Sequence, residues 1–166
     1  AKDSGVKKVV YASSSSVYGD TPTLPKVESM AANPLSPYAV TKLAGEYYCQ
    51  VFQDIYGLKT VCLRYFNVYG PRQDPDSLYA AVIPLFIRNA LTGKPLTVFG
   101  NGEQSRDFTF VKDIAEANIL AAESKATGVF NIGRSESVTV NRLVELLIML
   151  TGIKGVKPVY APQRTG

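Results

Sequence analysis

Three runs of β-branched and other apolar residues, "VKKVVYAS" (6–13), "KTVCLRYFNVYG" (59–70) and "GVFNIG" (128–133), are separated by long stretches of helical periodicity. Continuous apolar strands with helices between them indicate an α/β chain, a doubly wound parallel sheet with crossover helices on its faces. Each run then reads as a buried strand. Sheets of this kind place ligands beyond the carboxyl ends of their strands. The first two of those ends read "SSSSVYG" (13–19) and "NVYGPR" (67–72).

The helices are punctuated clearly. Ser36 followed by Pro37 is a start signal, serine as cap and proline in the first turn, and Gly57 is a stop. Within that span Val40, Ala44, Tyr48, Val51, Phe52 and Ile55 recur at helical spacing and are expected to form the core face. "AAVIPLFIRNALTG" (80–93) is helical in its later part, "LTVFGNG" (96–102) is a short strand and turn, and "VKDIAEANILAAES" (111–124) and "TVNRLVELLIMLTG" (139–152) are further helices. "GPRQDPD" (70–76) is a turn-rich loop.

Composition narrows the chemistry. The 166 residues suffice for one ordinary domain with a core, and 46% hydrophobic with 19% charged residues reads as soluble and globular. The chain has no histidine, which excludes a Ser-His-Asp triad, a Cys-His pair and a histidine-ligated zinc. Any general base must then be Tyr, Lys, Asp or Glu. A net charge of +4 without a basic block suits anionic small molecules, so no nucleic-acid partner is expected. Cys49 and Cys62 lack metal-ligand spacing and read as packed thiols, so no metal is expected. No apolar run reaches transmembrane length and no signal peptide opens the chain, which makes a cytoplasmic protein without a membrane partner the expectation.

Two motifs carry chemistry. Tyr38 and Lys42 lie four apart on one helix and leave the same face about one turn apart. Bringing a tyrosine from its reference pKa of about 10 toward about 7 requires roughly 4 kcal/mol, and a fixed ammonium nearby acts in that direction. Such a pair also occurs on ordinary amphipathic helices. The serines at 13–16 are equally at home in a plain loop. Here, however, they follow a strand and precede a Val-Tyr-Gly turn, where hydroxyls can donate to a substrate oxygen that becomes a carbonyl.

Together "SSSSVYGD", "NPLSPYAVTKLAGE", "LRYFNVYGPRQDP" and "GNGEQSRDFTFVKDIAEA" resemble the extended short-chain dehydrogenase/reductase superfamily, and within it the nucleotide-sugar 4-epimerases. The resemblance implies a Rossmann-like sheet, of which only the C-terminal part is present, with an interleaved smaller substrate-binding region. It divides the chain into a later part of the NAD-binding domain (1–74), a substrate-binding insertion (75–107), a return to the sheet (108–133) and a truncated substrate-binding region (134–166). It also implies NAD as cofactor, a UDP-sugar as substrate and a homodimer at full length. By position, Ser14 matches the catalytic hydroxyl, Tyr38 the catalytic base, and Lys42 its partner that also binds the nicotinamide ribose. Ser13, Tyr65 and Phe66 fall beside the cofactor. Ser15, Ser16 and Asn67 fall against the substrate, Leu96, Thr97, Val98 and Phe99 flank the uracil, and Arg106 and Arg164 hold the diphosphate, a role suited to the guanidinium fork. In the implied mechanism Tyr38 takes the sugar 4-hydroxyl proton while hydride passes to NAD; the 4-keto sugar turns and is reduced on its other face.

Among relatives, dehydratases carry Thr-Asp-Glu before Val-Tyr-Gly and decarboxylases keep the glutamate, whereas Ser14, Ser15 and Ser16 stand here. "NVYGPRQDPDSLYAAVIP" is most similar to epimerases acting on UDP-N-acetylglucosamine or UDP-glucose, the N-acetylated pair first. A 4-reductase or dehydratase, or a non-catalytic nucleotide-binding module, are the alternatives. The family's G-x-x-G-x-x-G turn, which brings a helix N-terminus to the cofactor pyrophosphate, is not in the chain, and "GNGEQS" lacks its spacing. The expectation is a middle-to-late fragment of an enzyme about twice as long. Such a piece is expected to leave its first strand at an edge, to associate, and to turn over no substrate by itself.

Overall fold

The computed structural model describes residues 1–76, 81–153 and 155–163. Along the chain run β1 (Lys8–Ser14), α1 (Pro37–Tyr56), β2 (Lys59–Tyr65), β3 (Asn67–Tyr69), α2 (Val82–Leu91), β4 (Leu96–Phe99) and β5 (Ser105–Arg106). They are followed by β6 (Phe108–Phe110), α3 (Val111–Glu123), β7 (Gly128–Ile132), β8 (Val138–Thr139), α4 (Val140–Thr151) and β9 (Pro158–Ala161). Two compact units result. One comprises Ala1–Val68 and Thr109–Ser135, the other Tyr69–Phe108 and the chain from Glu136 on.

The first unit is built on a parallel sheet in the order β1-β2-β7. Its register ends with Ser14 beside Tyr65 and Tyr65 beside Ile132, so three carboxyl ends stand in one row. The central strand β2 is buried on both faces, and its alternation assigns each face a helix. Val61 and Leu63 pack with Ala121 of α3. Thr60 and Arg64 point to α1, where the Thr60 hydroxyl donates to the Cys49 carbonyl at 3.1 Å. The outer strands β1 and β7 are half-buried rather than buried as their composition suggests, because each has a strand neighbour on one side only among the described residues. The run 59–70 is also broken: the Phe66 amide donates to Ile132 O at 3.1 Å, after which β3 pairs with β6 in a separate sheet.

α1 begins and ends where its punctuation places it. The Ser36 hydroxyl accepts from the Ala39 amide at 3.1 Å, and Gly57 (φ 67°), whose amide donates to Gln53 O at 2.9 Å, closes the last turn in a conformation that favours glycine. Its expected core face is the wrong one. Val40, Tyr48, Val51, Phe52 and Ile55 are exposed, Tyr48 by 69% and Ile55 by 66%, and only Ala44 is half-buried. The residues turned to the sheet are Ala39 and Glu46, with Cys49 and Gln53 beside them. The reason lies in β2, whose Thr60 and Arg64 need hydrogen-bonding partners once buried, so the helix turns its polar side inward.

The second unit has its own apolar core, formed by Phe86 and Ala90 of α2, Leu96 and Val98 of β4, Val140, Leu143, Val144 and Leu147 of α4, and Val156. β4 pairs with β9 in parallel, and β5 with β8 antiparallel. Thr139 caps α4 through a bond from the Arg142 amide at 3.1 Å. Gly102 (φ 78°) lies so close to Asn141 that an added Cβ would stand 2.0 Å from its Oδ1, which explains a glycine in the "GNG" turn. Among the described residues no helix is long and apolar enough to cross a membrane.

Candidate active site

The carboxyl end of β1 divides its serines between the two faces of the sheet. Ser13 is buried and its hydroxyl donates to Glu46 Oε1. Its hydroxyl is therefore engaged with Glu46, and any contact of Ser13 with a cofactor falls to its backbone. Ser14 opens a single 3-10 turn, Ser15–Tyr18. Its oxygen accepts from the Ser16 amide at 3.2 Å and from the Ser16 hydroxyl at 2.9 Å. Both bonds use Ser14 lone pairs and leave its own proton for another acceptor.

Tyr38 and Lys42 occupy the first turns of α1. The Lys42 ammonium donates to Ala12 O at 2.9 Å and stands 5.5 Å from the Tyr38 ring centroid and 5.7 Å from that of Tyr11. Gly45 makes this approach possible, since a Cβ there would fall 2.2 Å from the Tyr11 ring. Tyr38 is 50% exposed, so its phenol faces solvent rather than core. Burial, reinforced by the anionic forms of Cys49, Cys62, Glu46 and Tyr38, pushes the Tyr11 phenol up and keeps it neutral. Of the two rings beside Lys42, Tyr38 is the half-exposed one.

Behind this pair lies a buried polar network that sequence reasoning missed. Arg64 Nε donates to Glu46 Oε1 at 2.9 Å and Nη2 to Oε2 at 2.7 Å, a bidentate pair with each residue 5% exposed. The guanidinium carbon stands 4.6 Å from the Tyr18 ring centroid, and the Tyr18 hydroxyl donates to Asn131 Oδ1 at 2.7 Å. Burial alone works against the charge of Arg64, but its hydrogen bonds to the Glu46 carboxylate outweigh it and hold the group fully protonated. The signal was present: an arginine inside "VCLRYF" must find a buried partner. Glu46 lies four residues beyond Lys42 and eight beyond Tyr38, on their face of α1.

The other expected residues divide. Tyr65 ends β2 on the α3 side, and its hydroxyl donates to Asn118 Oδ1 at 2.8 Å. Phe66 and Asn67 follow it, half-buried, at the break between β2 and β3. In the second unit, Leu96 and Val98 are fully buried core residues. Alternation along β4 leaves Thr97 and Phe99 partly accessible, so Leu96 and Val98 can meet a ligand only through their backbone. Arg106 is exposed on β5, its Nη1 donating to Ser105 O at 2.9 Å. Arg164 lies outside the described residues. Cys49 and Cys62 are free thiols.

Comparison with known proteins accords with this geometry. The family described as NAD dependent epimerase/dehydratase matches residues 1–133. The structure of a UDP-N-acetylglucosamine 4-epimerase from Methanobrevibacter ruminantium M1, in complex with UDP-N-acetylmuramic acid, is 48% identical, with a TM-score of 0.96 over 99% of this chain and 53% of that one. A UDP-glucose 4-epimerase from Thermus thermophilus, in complex with NAD, is 38% identical, with a TM-score of 0.88 over 99% of this chain and 54% of that one. A UDP-N-acetyl-alpha-D-glucosaminuronate decarboxylase from Bacillus cytotoxicus is 40% identical over 153 residues, 89% of this chain and 47% of the relative. The chain spans about half the length of the relatives it matches.

Proposed function

Because the chain belongs to the NAD dependent epimerase/dehydratase family, we propose that it carries the acid–base machinery of a UDP-sugar 4-epimerase acting on UDP-N-acetylglucosamine or UDP-glucose. The observation that carries this reading is the Lys42 ammonium, pinned to Ala12 O beside the half-exposed Tyr38 ring at the carboxyl end of a parallel sheet.

The polar groups at this end fit the nicotinamide part of the family's cofactor: Lys42 for the ribose, with Tyr65 and Phe66 beside the ring. The glycine-rich turn for the pyrophosphate is not among the 166 residues. When bound, NAD supplies the acceptor and donor of hydride.

The chain's own residues supply the rest. Tyr38 takes the proton from the sugar 4-hydroxyl and returns it after the 4-keto sugar has turned. Lys42 opposes the charge that develops on the Tyr38 oxygen. Ser14 donates its remaining proton to the sugar O4, with Ser15 and Ser16 lining the approach. Asn67, the exposed Arg106 and, by its sequence position alone, Arg164 bind the diphosphate, and Thr97 and Phe99 the base. On this reading the first unit serves the cofactor and the second the nucleotide. The protein works in the cytoplasm as a homodimer, a second copy covering the apolar stripe of α1 that includes Tyr48, Val51 and Ile55.

The decarboxylase among the relatives makes product identity the deciding measurement. The protein at its natural length, incubated with UDP-N-acetylglucosamine or UDP-glucose and NAD, is expected to form the C4 stereoisomer with no net redox change. Loss of water or carbon dioxide would move the assignment to a sister reaction. Failure to retain nicotinamide would make the protein a nucleotide-binding module.

A further inference from the structure

We infer that Glu46 and Arg64 act as positioning residues for Tyr38 and Lys42, fixing where the Lys42 ammonium stands relative to the two rings beside it. The inference rests on the acid–base reading of Tyr38 and Lys42 given above, and it concerns a buried charge pair that the proposed chemistry does not itself use.

Tyr38, Lys42 and Glu46 follow one another at intervals of four along α1, on one face. At the third position the carboxylate is gripped by three donors from two strands: Arg64 Nε at 2.9 Å and Nη2 at 2.7 Å from β2, and the Ser13 hydroxyl from β1. A fork on a carboxylate fixes direction as well as distance, so it sets both the rotation of α1 about its axis and its height along the sheet. One turn earlier, Lys42 meets Ala12 O at 2.9 Å and stands beside the ring of Tyr11, both on β1 next to Ser13. The two contacts share one strand and one helix, so a shift at Glu46 is passed to the ammonium by a rigid element about one turn long.

Apolar packing contributes less to this precision, because the large residues Val40, Tyr48, Val51, Phe52 and Ile55 of α1 are exposed. The arginine is also held from its other side. Its guanidinium stacks over Tyr18, whose hydroxyl is fixed by Asn131 of β7, and Asn131 in turn donates to Lys26 O at 3.0 Å. Its third nitrogen, Nη1, is buried without a hydrogen-bond partner among the described residues.

The test separates aim from stability. A double variant, Glu46→Met with Arg64→Met, replaces the buried pair by apolar side chains of similar length, an exchange that folds tolerate. In the protein at its natural length this variant is expected to melt within about 5 °C of wild type. Its KM is expected to stay within about twofold while kcat falls by roughly tenfold to a hundredfold. Nuclear Overhauser contacts between the Lys42 side chain and the Tyr11 and Tyr38 rings are expected to weaken. A folded double variant with unchanged kcat and unchanged contacts overturns the inference. If the double variant does not fold, Arg64→Lys keeps the charge and loses the fork; a fall in kcat and weaker ring contacts support the inference, and wild-type values of both overturn it. If the wild-type protein performs no 4-epimerisation, the functional reading fails on its own, and the ring contacts alone decide whether the pair positions Lys42.

Discussion

Lys42 Nζ and the main-chain oxygen of Ala12 are 2.9 Å apart, a bond that ties helix α1 to strand β1 through a neutral acceptor. A carboxylate in that place would cancel the ammonium, whereas a carbonyl holds it still and leaves its charge intact beside the Tyr38 ring. Tyr38→Phe removes that phenol and little else. In the natural-length protein, kcat for 4-epimerisation is expected to fall by roughly 10²- to 10⁴-fold. Its melting temperature should stay within about 2 °C, because the side chain is half exposed.

The Glu46–Arg64 pair is expected to behave unlike the exposed Arg142–Glu145 pair at 2.8 Å. Glu46→Ala leaves a buried guanidinium uncompensated and should cost about 3–5 kcal/mol in urea unfolding. Arg142→Ala should cost about 0.5 kcal/mol or less, since a pair in water contributes little. Equal costs would mean that Arg64 finds another partner on losing its carboxylate.

β4 offers a test within four residues. Leu96→Ala opens a cavity in the core of the second unit and is expected to destabilise it by about 2–5 kcal/mol. Thr97→Ala should change stability by about 0.5 kcal/mol or less and instead weaken binding of a uridine nucleotide, measured by calorimetry. A larger effect of Leu96→Ala on binding than on stability would give its side chain a part in the nucleotide site.

Alkaline pH should loosen the first unit. Burial pushes the Cys49 and Cys62 thiols up from 9.0 and the Tyr11 phenol up from 10.0. Each is neutral when protonated, and the folded chain holds that proton more tightly than the unfolded one. Their contribution is therefore complete below pH 9.0 and is lost as the pH climbs through 9.0 toward the raised folded values. The urea midpoint is expected to fall as the pH rises from about 9 to about 11, with a shallower slope in Cys62→Ala.

The apolar stripe of α1 predicts association. The 166-residue chain is expected to sediment as a dimer or larger species. Tyr48→Lys combined with Ile55→Lys should shift it toward monomer while leaving its helical circular dichroism unchanged, as both side chains are exposed in the single chain.

What could be read from the sequence follows the range of the interactions involved. Ser36, Pro37 and Gly57 bound α1 correctly because a cap is made within one turn of the residue that makes it. The inward face of α1 was not legible, because it is decided by Arg64, eighteen residues from Glu46, and not by the helix itself. Ser13 shows the same limit at longer range: the partner of its hydroxyl, Glu46, is thirty-three residues away. In "LTVF" the alternation was visible, but the core that claims Leu96 and Val98 comes from α2 and α4. The Tyr38–Lys42 spacing survived because the helix alone sets it.

The inverted face of α1 bears on how its natural variation should be interpreted. A substitution table weighted by hydropathy would class Tyr48, Val51 and Ile55 as intolerant and Glu46 as freely exchangeable. In the single folded chain the order is reversed: the aromatic and aliphatic positions are open to drift, while the acidic one admits almost no replacement that keeps two oxygens in place. Drift along the apolar stripe would then register a partner's surface, and invariance at Glu46 would register the chain's own interior.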